Sequence, residues 1–280
     1  MRCLAFAFSL LCMGLLVSCN HSGNQASLDI SQATTLLNIP YGATSRQQID
    51  AYLPANRNDT TPLVIMYHGG GWVMGDRTDN AAIAEMLRDQ GIASVSVGYR
   101  LVDTATHVAA PQIGDDIRAG TTLAISLRAH WGIAQGKLGT FGISAGGHLA
   151  QLYGYAYDSL HQVSKVISYA GPSDLKSPRL LSNATMALMV NQFLDMRVGG
   201  DSLDATPWNP MDHIDSLDPA SLIIHGSIDT LVSPSQSVEL DSILRLHHVQ
   251  SQLVIFDSVG HAINSSQVRR IVNLIVQAMQ

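Results

Sequence analysis

Three side chains in this sequence have the types and the spacing for acyl-transfer chemistry: Ser144, Asp229 and His261. An alcohol becomes a nucleophile when a neutral imidazole takes its proton, and the resulting imidazolium needs a carboxylate to orient and stabilise it. Ser144 lies in Gly142-Ile143-Ser144-Ala145-Gly146-Gly147. Glycines at 142 and 146 permit a strand-to-helix reversal too tight for Cβ atoms on its flanks. Such a turn holds the serine hydroxyl clear of a sheet, at the positive end of a helix. Asp229 stands three residues past Gly226, and His261 follows Gly260, each just beyond an apolar run that reads as a strand.

A fourth feature belongs with these. The apolar run Leu63 to Tyr67 leads into His68-Gly69-Gly70-Gly71-Trp72. Consecutive glycines leave amide hydrogens unshielded, which suits a loop that must donate to an anionic oxygen. Trp72, beside them, is placed either to stack on a sugar or aromatic acid or to pack beneath the loop. Other candidates rank lower. His225 lies inside an apolar run and reads as a hydrogen-bonded core residue, while His247 and His248 end a helix, where positive charge is favourable. Asp257 belongs to the last strand, and Asp115 and Asp116 read as dipole-complementing charges in a first helical turn.

The elements that must position these groups alternate. Thr34 to Tyr41 and Gln47 to Leu53 predict two antiparallel edge strands, and strands at 63–67, 93–99, 137–141, 163–169, 221–226 and 252–256 alternate with helical segments. The helix opened by Pro111 should bury Ile113, Ile117, Leu123, Ile125 and Leu127. This pattern predicts an α/β fold, a mostly parallel sheet wound on both sides with its active edge at the strand C-termini. Residues 173–218 lose that rhythm and read as a small cap inserted beside the pocket, with Met186, Met189 and Phe193 either lining its mouth or forming a core face.

All three cysteines fall within the first 19 of 280 residues, so the remaining chain has no internal disulfide or thiol chemistry. Arg2 and the apolar run Leu4 to Val17 read as a signal peptide, too short for a membrane span of roughly 18 or more residues. Leu16-Val17-Ser18-Cys19 resembles the lipobox of bacterial lipoproteins, which implies a signal peptide over 1–18 and lipid attachment at Cys19; ordinary cleavage to a soluble periplasmic or secreted form is the alternative. Residues 19–33, rich in Ser, Asn and Gln, then form a tether to a domain over 34–280. The protein is thus expected to be exported to the cell envelope and to meet the membrane only through its lipid. A net charge of −6 with 14% charged residues, and no basic cluster beyond Arg269-Arg270, excludes a nucleic-acid footprint.

Taken with His68-Gly69-Gly70-Gly71-Trp72 and Gly142 to Ala150, the chain resembles the α/β-hydrolase superfamily, in the esterase branch. It is most similar there to the bifunctional carbohydrate acetyl esterases and feruloyl esterases. The likeness runs from Tyr41-Gly42 and Gln48 to Pro54, through Tyr99-Arg100-Leu101 and Asp116, to Ser233 to Ser237. It implies an α/β-hydrolase fold and a Ser144, Asp229 and His261 triad, with Gly70, Gly71 and Ala145 donating amides to the oxyanion and neither metal nor cofactor. Gly98 stands where the family often has Asn, and Ser227-Ile228 replace a more charged pair. The implied substrate is a small-molecule or carbohydrate ester with a short acyl group. An aryl formamidase or peptidase-like hydrolase of the same fold is the alternative, and a non-catalytic binding protein a third.

Overall fold

In the computed structural model, which describes residues 28–195 and 204–280, the apolar runs pair into one sheet. Its strands among the described residues are β1 (Thr34–Pro40), β2 (Gln48–Leu53), β3 (Leu63–Tyr67), β4 (Ala93–Val97), β5 (Leu138–Ile143), β6 (Val163–Tyr169), β7 (Ala220–Gly226) and β8 (Ser251–Phe256). They lie in the order β1-β2-β4-β3-β5-β6-β7-β8. β2 pairs antiparallel with both β1 and β4, and every other pairing is parallel. The central strands carry apolar residues on both faces because both faces are covered.

Alternation along β3 shows the two layers. Leu63, Ile65 and Tyr67 join a core under α2 (Ala110–Trp131), α3 (Ala145–Leu152) and α6 (Ser235–Leu246). Val64 and Met66 point the other way, toward α1 (Ala81–Asp89) and α7 (Ser265–Met279). The doubly wound α/β-hydrolase fold expected from the sequence is therefore present. Because the chain leaves β3 for β4 on one side and returns to β5 on the other, β3 and β5 are neighbours at the point where strand order reverses. Loops after such strands diverge and leave a crevice between them. Tyr67 faces Gly142 in register, so the glycine run and the Ser144 turn leave the sheet side by side.

Two details differ from the sequence reading. Ile113 and Ile117 are buried, but Leu123, Ile125 and Leu127 are only partly so. The helix closes on the sheet instead through Gly120, Thr121 and Ala124, while Gly114 lies against Tyr157 and Trp208. At Gly120 a Cβ would stand 2.5 Å from Val97 Cγ1, so small residues set the approach. Asp116 is not a solvated dipole partner: it is 1% exposed and receives the Arg100 amide and guanidinium at 2.8 Å and Gln47 Nε2 at 2.8 Å. Burying a carboxylate requires such a saturated partner set. Gly98 is explained by the same corner, since a Cβ there would lie 2.5 Å from the Arg46 carbonyl oxygen.

Between β6 and β7 the described part of residues 173–218 holds α4 (Pro178–Leu181), α5 (Ala184–Phe193) and two 3₁₀ turns, Thr206–Trp208 and Pro210–His213. Asn183 caps α5, its side chain accepting from the Thr185 and Met186 amides. Its own amide donates to the Thr230 carbonyl at 2.9 Å, which fastens α5 to the loop after β7. The signal segment 1–18, Cys19 and the first part of the tether lie outside the described residues. No helix among the described residues is long and apolar enough to cross a membrane.

Candidate active site

The backbone at Ser144 has φ 57° and ψ −123°, a region that an L residue enters at a cost and that is held here from both sides. The Ser144 amide donates to the Tyr169 carbonyl at 2.8 Å, and its carbonyl accepts from the His148 amide at 3.0 Å as α3 begins. A Cβ on Gly142 would collide with the Gly146 carbonyl, and one on Gly146 with the Tyr67 carbonyl oxygen. No larger residue fits either position while the turn keeps this shape.

Asp229 and His261 arrive on loops that are joined to one another. The Ser227 amide donates to the Phe256 carbonyl and the Ile228 amide to the Val259 carbonyl, at 2.9 and 3.0 Å, tying the turn after β7 to the turn after β8. Asp229 Oδ1 receives the Leu231 and Val232 amides at 2.9 and 3.0 Å. Its Oδ2 lies 2.7 Å from His261 Nδ1, and His261 Nε2 lies 2.9 Å from Ser144 Oγ. A carboxylate only accepts, so Nδ1 carries the hydrogen and Nε2 is free to accept from the serine hydroxyl. Burial alone would raise the Asp229 pKa, but hydrogen bonds from His225 and His261 and the backbone outweigh it and hold the carboxyl well below its ordinary range. It is therefore an anion at neutral pH.

The glycine loop closes the other wall. Gly70 and Gly71 have φ of 107° and 59°, and Trp72, a non-glycine, follows at 62°. The Val73 and Met74 amides both turn back to the Gly70 carbonyl at 3.1 Å. From outside, Tyr99 Oη donates to the His68 carbonyl at 2.8 Å while its ring stacks on His68 at 4.1 Å, and the Val102 amide donates to the Trp72 carbonyl at 2.9 Å. Among the described residues the Gly70, Gly71 and Ala145 amides donate to no protein acceptor. They border a cleft of about 370 Å³ that also holds Ser144 and His261. Its other walls, including Met74, Met186, Met189, Leu231 and Ile263, are apolar.

The structure thus brings Ser144, Asp229, His261, Gly70, Gly71 and Ala145 to one place. Trp72 departs from the stacking role considered above. It borders the cleft but is fully buried, stacked on Phe193 at 4.6 Å and edge-on to His148 at 5.1 Å, so no ring face is open to a sugar. Met186 and Met189 line the cleft, whereas Phe193 belongs to the core beneath it. Asp257 lies in the turn beyond β8, where Ser227 Oγ donates to it at 3.3 Å, and it does not reach His261. The apolar loop residues Leu231 and Ile263 carried no periodic signal by which the sequence reading would have found them. His225 is the hydrogen-bonded core residue expected from the sequence, buried between Ser237 and the Val232 carbonyl, and it also contacts Asp229. His148, a buried histidine whose pKa is pushed down to about 4 by burial, carried no sequence signal.

Comparison with known proteins gives a family for the chain and relatives of its fold. The BD-FAE family model matches residues 49–244, more than half of the chain. A kynurenine formamidase of Danio rerio is 34% identical over 85 residues, 30% of this chain and 28% of that protein. A probable isoprenylcysteine alpha-carbonyl methylesterase of Oryza sativa subsp. japonica is 23% identical over 250 residues, 80% of this chain and 56% of that protein. The chain therefore spans well under two thirds of either relative. Among solved structures, a truncated carbohydrate esterase from gut microbiota superposes with a TM-score of 0.69 at 19% identity, covering 90% of this chain and 98% of that one.

Proposed function

The chain belongs to the BD-FAE family, and from that membership we propose that it is a serine carboxylic-ester hydrolase acting through Ser144, His261 and Asp229. The observation that carries this reading is the unbroken line of contacts from Ser144 Oγ to His261 Nε2 at 2.9 Å and from His261 Nδ1 to Asp229 Oδ2 at 2.7 Å, beside three uncommitted amides. His261 takes the Ser144 proton as Oγ attacks the ester carbonyl, and Asp229 stabilises the imidazolium. The oxyanion receives the Gly70, Gly71 and Ala145 amides. His261 then gives its proton to the departing alcohol, leaving an acyl group on Ser144, and water repeats the sequence to release the acid.

The apolar cleft suits a short acyl group, and the motif resemblance favours a carbohydrate or small aryl ester whose alcohol extends from the mouth. A second reading, aryl formamide hydrolysis, is favoured by the kynurenine formamidase match. A panel of chromogenic acetyl, butyryl and long-chain esters beside N-formyl and acyl anilides separates them. Ester turnover well above anilide turnover is expected, and the reverse order would replace the ester reading.

For location we propose export and lipid attachment at Cys19, on the sequence of the first 19 residues alone. The Cys19→Ala variant should lose incorporation of labelled fatty acid and leave the membrane fraction; an unchanged membrane fraction would remove the anchor.

A further inference from the structure

His225, at the penultimate position of β7, is fully buried and lies behind the carboxylate that faces His261. Its Nε2 stands 2.9 Å from the Val232 carbonyl oxygen and 3.3 Å from Asp229 Oδ2. Both neighbours are acceptors, so this nitrogen carries the hydrogen, bonded to the Val232 carbonyl with its positive end beside the Asp229 carboxylate. Nδ1 is then an acceptor and takes the hydroxyl hydrogen of Ser237, on α6, at 2.6 Å. The oxygen that His225 touches is the same one that His261 Nδ1 uses. His261 Nδ1 therefore donates to Oδ2 while the His225 N–H group stands against the same oxygen at 3.3 Å, and the other oxygen is occupied by two backbone amides.

Resting on the reading of Ser144, His261 and Asp229 as a catalytic relay, we propose that His225 is a positioning residue: by sharing Asp229 Oδ2 with His261, it weakens the hold of that carboxylate on the His261 proton. A carboxylate that spends part of its charge on a second donor is a weaker acceptor for the first. The base must be neutral to accept from Ser144, so too basic a carboxylate would keep it as imidazolium over a wider pH range. Ser237 completes the device by fixing the His225 tautomer. The other titratable group facing Asp229 is Tyr169 of β6, pushed up to about 12 by burial and by the Asp229 charge, so it stays protonated throughout. Among the described residues no further charged side chain bonds to His225, Asp229 or His261.

The test is the acid limb of kcat/KM against pH, which a purely structural role would not move. His225→Leu removes the donor, and its limb is expected to shift to higher pH by about half a unit, with plateau kcat within about threefold of the parent. His225→Gln, whose amide nitrogen reaches the place of Nε2, should restore the limb. Ser237→Ala should move it the same way by less, and it carries the test if His225→Leu does not fold. Limbs that overlay the parent in the folded variants would overturn the proposal. If the parent shows no Ser144-dependent turnover, the catalytic reading fails and this inference falls with it. If turnover depends on Ser144 but the limbs do not move, this inference alone fails.

Discussion

Asp229 and Asp257 lie close to His261 in space and in sequence respectively, and the geometry gives them different work. Asp229 accepts from His261 and stays ionised, whereas Asp257 is exposed and held by Ser227. Asp229→Asn should therefore lower kcat by up to about 10⁴, because the amide spoils the tautomer and removes the charge. Asp257→Asn should leave kcat near the parent value, and steady-state kinetics on the two variants would expose a reversal. His148 makes a prediction about stability. Its ring is buried with Nε2 2.8 Å from the Trp208 carbonyl, and burial holds its pKa at about 4 against about 6.5 for free imidazole. Between those values the unfolded chain binds more protons than the folded one, so stability rises with pH across the window. The contribution is complete above about pH 6.5 and is lost toward pH 4, amounting to roughly 2–3 kcal/mol. Asp218, raised to about 6 by burial, works in the opposite direction, so the difference between parent and His148→Gln isolates the imidazole. Denaturant melts at several pH values should show the stability of the parent relative to the variant rising between about pH 4 and pH 6.5, and parallel curves would refute it.

At the scale of elements, the turn after β5 is where sequence and structure agree most closely, because only glycine satisfies its steric demand. Gly146→Ala should destabilise the protein by about 1–3 kcal/mol, since its Cβ would meet the Tyr67 carbonyl oxygen, which belongs to a central strand and cannot step aside. A thermal melt with no loss would show that the turn has slack. The alternation of apolar runs revealed the described strands to within one residue, except β4, which ends two residues early at Val97, and β5, which runs on two residues to Ile143. Helix α2 shows the limit of such a reading. Periodic large residues suggested its buried face, yet close packing against β4 demanded Gly120 and Ala124, a requirement set by the strand beneath and invisible in the helix itself. Asp116 was misread for a related reason. Its partners Gln47 and Arg100 come from separate parts of the chain and meet it only in three dimensions. Ser144, Asp229 and His261, by contrast, each follow a strand end, and parallel strands deliver their ends to one edge.

At the scale of the whole molecule, the glycine loop, the turn after β5 and α5 bound a short apolar cleft. At about 370 Å³ it lies near the low end of ligand sites, roughly 300–1,000 Å³. Acetyl and other short acyl esters should therefore be preferred over chains of eight carbons or more, because methylenes left in water gain none of the roughly 0.8 kcal/mol that burying each would bring. A kcat/KM that climbed steadily with chain length would show a larger apolar site than this one. The central claim is that Ser144 is the nucleophile, and covalent trapping addresses it without any assumption about substrate. Incubation with a small alkyl fluorophosphonate should add one phosphonyl group per chain, mapped by peptide mass spectrometry to Ser144, with ester hydrolysis falling in proportion and no label on Ser144→Ala. Label on another residue, or full hydrolysis by completely labelled protein, would contradict it.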